Sequence, residues 1–137
     1  MNGKIISLIG RSNVGKSSTF NLLMDKDFSI VTHKKNTTIR CVECYLDSKK
    51  MLKIVDTPGP IIDERKNIYN LNKVIYDVML SSNLVLVIID CVNLIQEDFF
   101  MLEVLKKCKL PKILVINKID TIKNRYILLK FIKKIEQ

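Results

Sequence analysis

A short apolar run, Lys4 to Ile9, breaks at Gly10 into Arg11-Ser12-Asn13-Val14, and Gly15, Lys16 and Ser17 then open a segment with helical spacing. This G-x-x-x-x-G-K-S pattern, set between a strand and a helix, constrains the fold more than any other feature of the chain. Glycines let a backbone wrap closely around a ligand, and the amides opening a helix add their dipoles to an anion site. The pattern therefore predicts a phosphate cradle. In such a cradle Lys16 reaches β- and γ-phosphates and the Ser17 hydroxyl ligates Mg²⁺. Of only four glycines in the chain, Gly10, Gly15 and Gly59 occupy phosphate-motif positions, which argues against a chance glycine-rich turn.

Further apolar runs recur at Met51–Val55, Leu84–Ile89 and Lys112–Ile116, each rich in Ile, Val or Leu. They predict buried strands of a parallel sheet. Segments with helical spacing lie at Ser17–Met24, Leu71–Leu80, Ile95–Cys108 and Asn124–Ile135. The last carries an apolar stripe of Ile127, Leu128, Phe131, Ile132 and Ile135 backed by lysines, so it is amphipathic. Arg40–Leu46 and the turn Asp47–Lys50 form an antiparallel hairpin with Met51–Val55. The expected fold is α/β, a P-loop NTPase with a mostly parallel sheet, helices on both faces and one antiparallel edge strand. Residues 1–137 read as a single domain, with two long polar connections, Asp25–Thr38 and Gly59–Asn70.

Two more motifs follow in order. Asp56, Thr57, Pro58 and Gly59 end the second core strand in a D-x-x-G arrangement, where an acid meets Mg²⁺ and a glycine amide meets the γ-phosphate. Asn117, Lys118 and Asp120 end a later strand as N-K-x-D. A carboxylate at Asp120 accepts both N1–H and N2–H of guanine, while Asn117 and Lys118 support the base and loop. Adenine lacks that donor pair, and a wrong base leaves a buried carboxylate unpaired at a cost of several kcal/mol in order of magnitude. Thr38 is the preferred Mg²⁺ ligand from the first polar connection, with Thr37 as the alternative. The nucleotide-binding set is then Gly10, Asn13, Val14, Gly15, Lys16, Ser17, Ser18, Asp56, Gly59, Asn117, Lys118 and Asp120. The metal set is Ser17, Thr38 and Asp56, and Lys16, Thr38 and Gly59 carry catalysis.

A net charge of +9 admits two readings. One is a polyanionic partner such as RNA, drawn by clustered lysines. The other is coding drift, since lysine, isoleucine and asparagine crowd a chain with no alanine. Cys41 and Cys44 form a lone C-x-x-C in a strand-like run that points them to opposite faces, and no second pair completes a zinc site; the four cysteines read as structural. His33 sits among polar loop residues. With no signal-peptide pattern and no apolar run of membrane-spanning length, a soluble, cytoplasmic protein is expected.

The stretches GRSNVGKSS, FSIVTHKKNTTIR, KIVDTPGPIIDERKNIYNLNKVIYDVML, LVLVIID and LPKILVINKID resemble the Era-type GTPases, within the wider TrmE-Era-EngA-like family, over nearly the whole chain. The resemblance implies GTP hydrolysis coupled to small ribosomal subunit assembly, with ribosomal RNA or an assembly intermediate as partner. It also implies a K⁺ ion held by an asparagine in the position of Asn13, doing the work of an arginine finger. Departures are Ser12 where relatives usually carry proline, Ile39 before Arg40, and Pro60 after the glycine. Pro60 offers neither a side-chain amide nor a backbone N–H to orient water, so slow hydrolysis is expected. Family members continue into a further strand, a Ser-Ala-type loop, a final helix and a KH-type RNA-binding domain, whereas this chain ends at Gln137. The expectation is an incomplete G domain with an unpaired sheet edge and uncovered apolar surface, and a possible role for a protein partner in completing the fold. Alternatives are a guanine-nucleotide switch without useful turnover, or the G domain of a tRNA-modifying or Der-type GTPase.

Overall fold

The computed structural model describes residues 3–24, 30–31, 41–47, 49–60 and 73–136. The expected Mg²⁺ ligand Thr38 and its alternative Thr37 lie outside them, as do His33, Arg40 and Leu71.

Among the described residues six strands form one sheet: β1 (Lys4–Ile9), β2 (Ile30–Val31), β3 (Val42–Tyr45), β4 (Leu52–Asp56), β5 (Leu84–Asp90) and β6 (Lys112–Asn117). Their order is β2-β3-β4-β1-β5-β6. The pairings β4–β1–β5–β6 are parallel, and β3 runs against them as the expected hairpin partner of β4. The two-residue β2 pairs antiparallel to β3 and so lies outside it, a strand the sequence did not announce.

Among the described residues four helices cover the sheet: α1 (Lys16–Leu23), α2 (Lys73–Ser81), α3 (Gln96–Lys107) and α4 (Arg125–Glu136). Strand residues alternate between faces, and here both faces are apolar. Ile9, Val85, Val87 and Ile89 point to one side, where Ile75 and Met79 of α2, Met101 and Leu105 of α3, and Phe131 of α4 pack on them. Leu8, Ile54, Cys44 and Ile88 point to the other and meet Val14 and Phe20 of α1. Strands buried on both faces need continuous apolar runs, which is why β5 reads Leu-Val-Leu-Val-Ile-Ile before its terminal Asp90.

Cys44 is buried in the second of these clusters, as a structural cysteine would be. Among the described residues, no group of three or more His, Cys, Asp or Glu could hold a metal ion. Likewise no described helix is long and apolar enough to cross a membrane. Along the outer strand β6, Ile113 is 52% exposed, and Leu22 at the end of α1 is 85% exposed.

Candidate nucleotide site

Every strand that ends near the first loop points its C-terminus the same way, so the loops after β1, β4, β5 and β6 gather at one end of the sheet. That is where α/β sheets bind ligands.

Gly10 turns the chain out of β1. A Cβ there would run into the Ile88 carbonyl oxygen of β5 and touch Val14 Cγ2 at 3.0 Å. Gly15 caps α1 at φ 102°, in the left-handed region, with the Asn117 amide crowded against the space a side chain would take. Neither position has room for a larger residue. The first turn of α1 holds no acidic side chain, whereas that of α3 holds Glu97 and Asp98. The positive end of α1 is thus left for an outside anion.

Lys16 is 7% exposed, and its Nζ donates to the Arg11 carbonyl at 2.8 Å. Burial pushes its pKa down and a nearby Arg11 adds to that, while Asp56 opposes them. Ser17 Oγ donates to Asp56 Oδ2 at 3.1 Å. The other carboxylate oxygen, Asp56 Oδ1, is buried with no hydrogen-bond partner. Burial raises the Asp56 pKa against the opposing effects of the Ser17 hydroxyl and the Lys16 charge. A buried carboxylate oxygen without a donor, next to a hydroxyl, is a donor set that suits a hard cation such as Mg²⁺. Thr57 anchors this strand end, donating from Oγ1 to the Leu8 carbonyl at 2.7 Å. Gly59 comes back against the first loop: a Cβ on it would lie 2.7 Å from Ser12 N and Oγ. Ser12, Asn13, Lys16, Ser17, Asp56 and Gly59 share a cavity of about 280 Å³.

The third motif grips the first. Asn117 Nδ2 donates to the Val14 carbonyl at 2.8 Å, and Lys118 Nζ donates to the Asn13 carbonyl at 2.9 Å. Asn13 and Lys118 both adopt positive φ, 64° and 62°. Asp120 lies exposed in the 3₁₀ turn Ile119–Thr121, available to a ligand. Val14, by contrast, is wholly buried, so its side chain serves the core and only its backbone faces the loop. Ser18 is exposed on α1. The cavity is lined by residues of the first two motifs together with Val42, and not by Asn117, Lys118 or Asp120; Asn117 and Lys118 meet the loop through its backbone carbonyls.

Two acids assigned no role by sequence reasoning stand behind these loops. Asp90 ends β5 and pairs with Lys118 at 2.7 Å, while its Oδ1 accepts from the Val92 and Asn93 amides. Burial raises its pKa, but Lys118 and those amides outweigh burial and hold it below the ordinary carboxylate range. Asp98, wholly buried in the first turn of α3, accepts from Arg11 Nε at 3.4 and 3.3 Å and from the Ile95 amide at 3.1 Å. Arg11 Nη2 also donates to the Asn93 carbonyl at 2.7 Å. An acid closing an apolar run, as Asp90 does, was a usable signal of a loop-end role. Nothing local marks Asp98 as the partner of Arg11.

The fold and the convergence of these loops define the class: a P-loop NTPase with a mostly parallel sheet. The chain belongs to the family described as 50S ribosome-binding GTPase, whose model matches residues 5–118. It is 36% identical over 129 residues to GTPase Era of Buchnera aphidicola subsp. Acyrthosiphon pisum (strain Tuc7), covering 93% of this chain and 46% of the relative. A crystal structure of an Aquifex aeolicus Era variant bound to GDP·AlF4⁻ superposes with a TM-score of 0.69 at 28% identity, covering 99% of this chain and 47% of that one. Era in complex with MgGDPNP and nucleotides 1506–1542 of 16S ribosomal RNA gives 0.64 at 25% identity, covering 99% and 47%. The chain therefore spans less than half the length of these Era proteins.

Proposed function

We propose that residues 1–137 act as one G-domain unit that binds GTP and GDP with Mg²⁺ and hydrolyses GTP slowly, in an Era-like role tied to ribosome assembly. The observation that carries this reading is the grip of Asn117 and Lys118 on the backbone of the phosphate loop at Val14 and Asn13. It joins a guanine-type motif to a phosphate-type motif in one site.

In this reading Gly10, Asn13, Val14, Gly15, Lys16, Ser17 and Ser18 surround the phosphates, largely through backbone amides. Asp120 reads the guanine edge, with Asn117 and Lys118 holding its loop to the phosphate loop. Ser17 and Asp56 would hold Mg²⁺ together with Thr38, the preferred threonine of the first polar connection. Bound there, the metal ion would neutralise charge building on the phosphates. Lys16 leaves the Arg11 carbonyl to meet the β- and γ-phosphates, and the Gly59 amide meets the γ-phosphate. Asn13 would assist a K⁺ ion. Pro60 supports slow turnover, because it presents no N–H beside the γ-phosphate position. Cytoplasmic placement fits such a role.

Ribosomal RNA is the partner we propose. The family description names the 50S subunit, while the similar Era structure holds 16S RNA; the Era likeness covers more of this chain, so we favour the small subunit.

The test is a titration of the 137-residue chain with fluorescent GDP and GTP in Mg²⁺ and K⁺, with excess unlabelled ATP as competitor. Micromolar or tighter binding that ATP leaves in place supports the guanine site, and no binding by a folded chain removes it. Phosphate release that Lys16→Ala abolishes supports the enzyme. Tight binding without release supports a nucleotide switch instead, the reading that Pro60 also favours. Equal turnover in KCl and NaCl would remove the K⁺ role.

A further inference from the structure

The positive charge of this chain is not spread evenly over its fold. Lys106 and Lys107 close α3, and Lys109 follows in the short connection to β6. Lys112 opens β6, Lys4 opens β1, and Lys49 and Lys50 sit in the turn before β4. By the topology of the sheet all of these lie at the N-terminal ends of the parallel strands, the end opposite the nucleotide site. Strands of five to seven residues put roughly 20 Å between the two ends.

All seven lysines are exposed. Among the described residues two acids accompany them: Asp47, whose Oδ1 is taken by the Met51 and Leu52 amides, and the exposed Glu103, one turn before Lys106 and Lys107 on α3. The rest of the described residues hold ten basic and eight acidic side chains, close to balance. Coding drift scatters lysines without regard to topology, so segregation of most of the net charge of the described residues to one end argues for a charged surface.

Two details sharpen its chemistry. The C-terminal end of a helix carries a partial negative charge that would repel an anion. Here Lys112 Nζ donates to the Leu105 and Cys108 carbonyls at 2.8 and 2.6 Å and cancels it. Leu105, Cys108 and Leu110, the apolar members of the same stretch, all pack into the core. The exposed apolar side chains near these lysines, Met51 at 36% before β4 and Ile113 at 52% on β6, stand on opposite sides of the strip, and two isolated residues do not make the continuous apolar face that enters a bilayer, which favours a hydrophilic polyanion over a lipid surface.

We infer that this lysine end is a second binding site, one that holds the phosphate backbone of RNA without reading its sequence. The strip from the β4 turn across β1 to β6 is about 15 Å wide at the usual strand spacing, room for a short run of phosphates. Lysines on an open surface contact backbone and not bases. The inference rests on the RNA-linked reading above for its choice of polyanion, and its test is separable from the nucleotide test.

The experiment is fluorescence anisotropy of a labelled 20-nucleotide single-stranded RNA of mixed sequence against the 137-residue chain, from 50 to 200 mM KCl. A triple variant, Lys106→Glu, Lys107→Glu and Lys109→Glu, is compared with a control of equal charge change, Lys123→Glu, Arg125→Glu and Lys130→Glu. The lysine-end variant should bind about tenfold or more weakly, with a log-log salt slope shallower by about two; the control should stay within about twofold. If charge reversal unfolds α3, as its circular dichroism would reveal, the pair Lys4→Glu and Lys49→Glu decides by the same comparison. Equal losses in the lysine-end variant and control would overturn the site, as would absence of RNA binding at 50 mM KCl. Co-sedimentation with phosphatidylglycerol vesicles in place of RNA binding would overturn the choice of partner. Fluorescent GDP binding measured on the same samples keeps the two readings apart: RNA binding without GDP binding leaves this inference standing and removes the guanine site.

Discussion

Asp56 occupies a place at the end of β4 that works against the nucleotide-free fold. Its Oδ1 is buried without a donor, and burial holds its pKa above the ordinary range despite Ser17 and Lys16. A carboxyl raised in the folded state binds protons there more tightly than in the unfolded chain. Stability therefore increases as pH falls through the folded value, and the penalty is complete above it. Asp56→Asn should raise the melting temperature of the nucleotide-free chain at pH 7 by several degrees, while weakening Mg²⁺-dependent nucleotide binding on the order of tenfold or more. Thermal melts with and without Mg²⁺GDP check both halves. A variant that melts lower without nucleotide would contradict this account of Asp56. The trade is typical of sites shaped for ligands, where groups kept ready for a cation cost stability until it arrives.

At the scale of elements, the phosphate loop is held by α3 and β5 as much as by its own helix. Asp98 fixes Arg11 and caps the first turn of α3 with the same carboxylate. Asp98→Asn keeps an acceptor for Ile95 but loses the charge opposite a partly buried guanidinium, so a loss of about 1–3 kcal/mol is expected. It should appear as a lower urea midpoint with unchanged slope, together with faster GDP release, because the Arg11 backbone also receives Lys16. Asp90 behaves in the opposite sense from Asp56. Its pKa is lowered in the folded state, so its contribution is present above the unfolded value near 3.9 and fades as pH falls through the folded one. Asp90→Asn should be less stable than the parent at pH 6–7, with the gap closing below about pH 4, as denaturant titrations at several pH values would measure.

For the whole molecule, ligand linkage gives the plainest readout. GDP with Mg²⁺ at a hundredfold excess over Kd should add about 2.7 kcal/mol of stability, and ATP at the same concentration should add none. A melt shifted equally by both nucleotides would contradict guanine selectivity. The architecture itself was largely legible. β1 begins and ends where the apolar run does, and β5 and β6 differ only in running one residue further, to Asp90 and Asn117. Those polar residues end an apolar pattern without ending the ladder, since backbone pairing of Asp90 with Asn117 continues. β2 was not legible, because two residues inside a polar connection acquire a strand only by pairing with β3.

What the sequence determined by itself was the set of local patterns: strand and helix periodicity, and three loop motifs in an order that requires a particular fold. These depend on neighbours a few residues away, so they survive without any knowledge of packing. Tertiary structure alone decided which charges face each other. Arg11 meets Asp98 across 87 positions of chain and Lys118 meets Asp90 across 28, and neither acid's partner follows from its surroundings in sequence. The gathering of lysines from four separate segments at one end of the sheet was likewise invisible along the chain, because the handedness and order of the strands, and not spacing in sequence, decide which surface a residue shares.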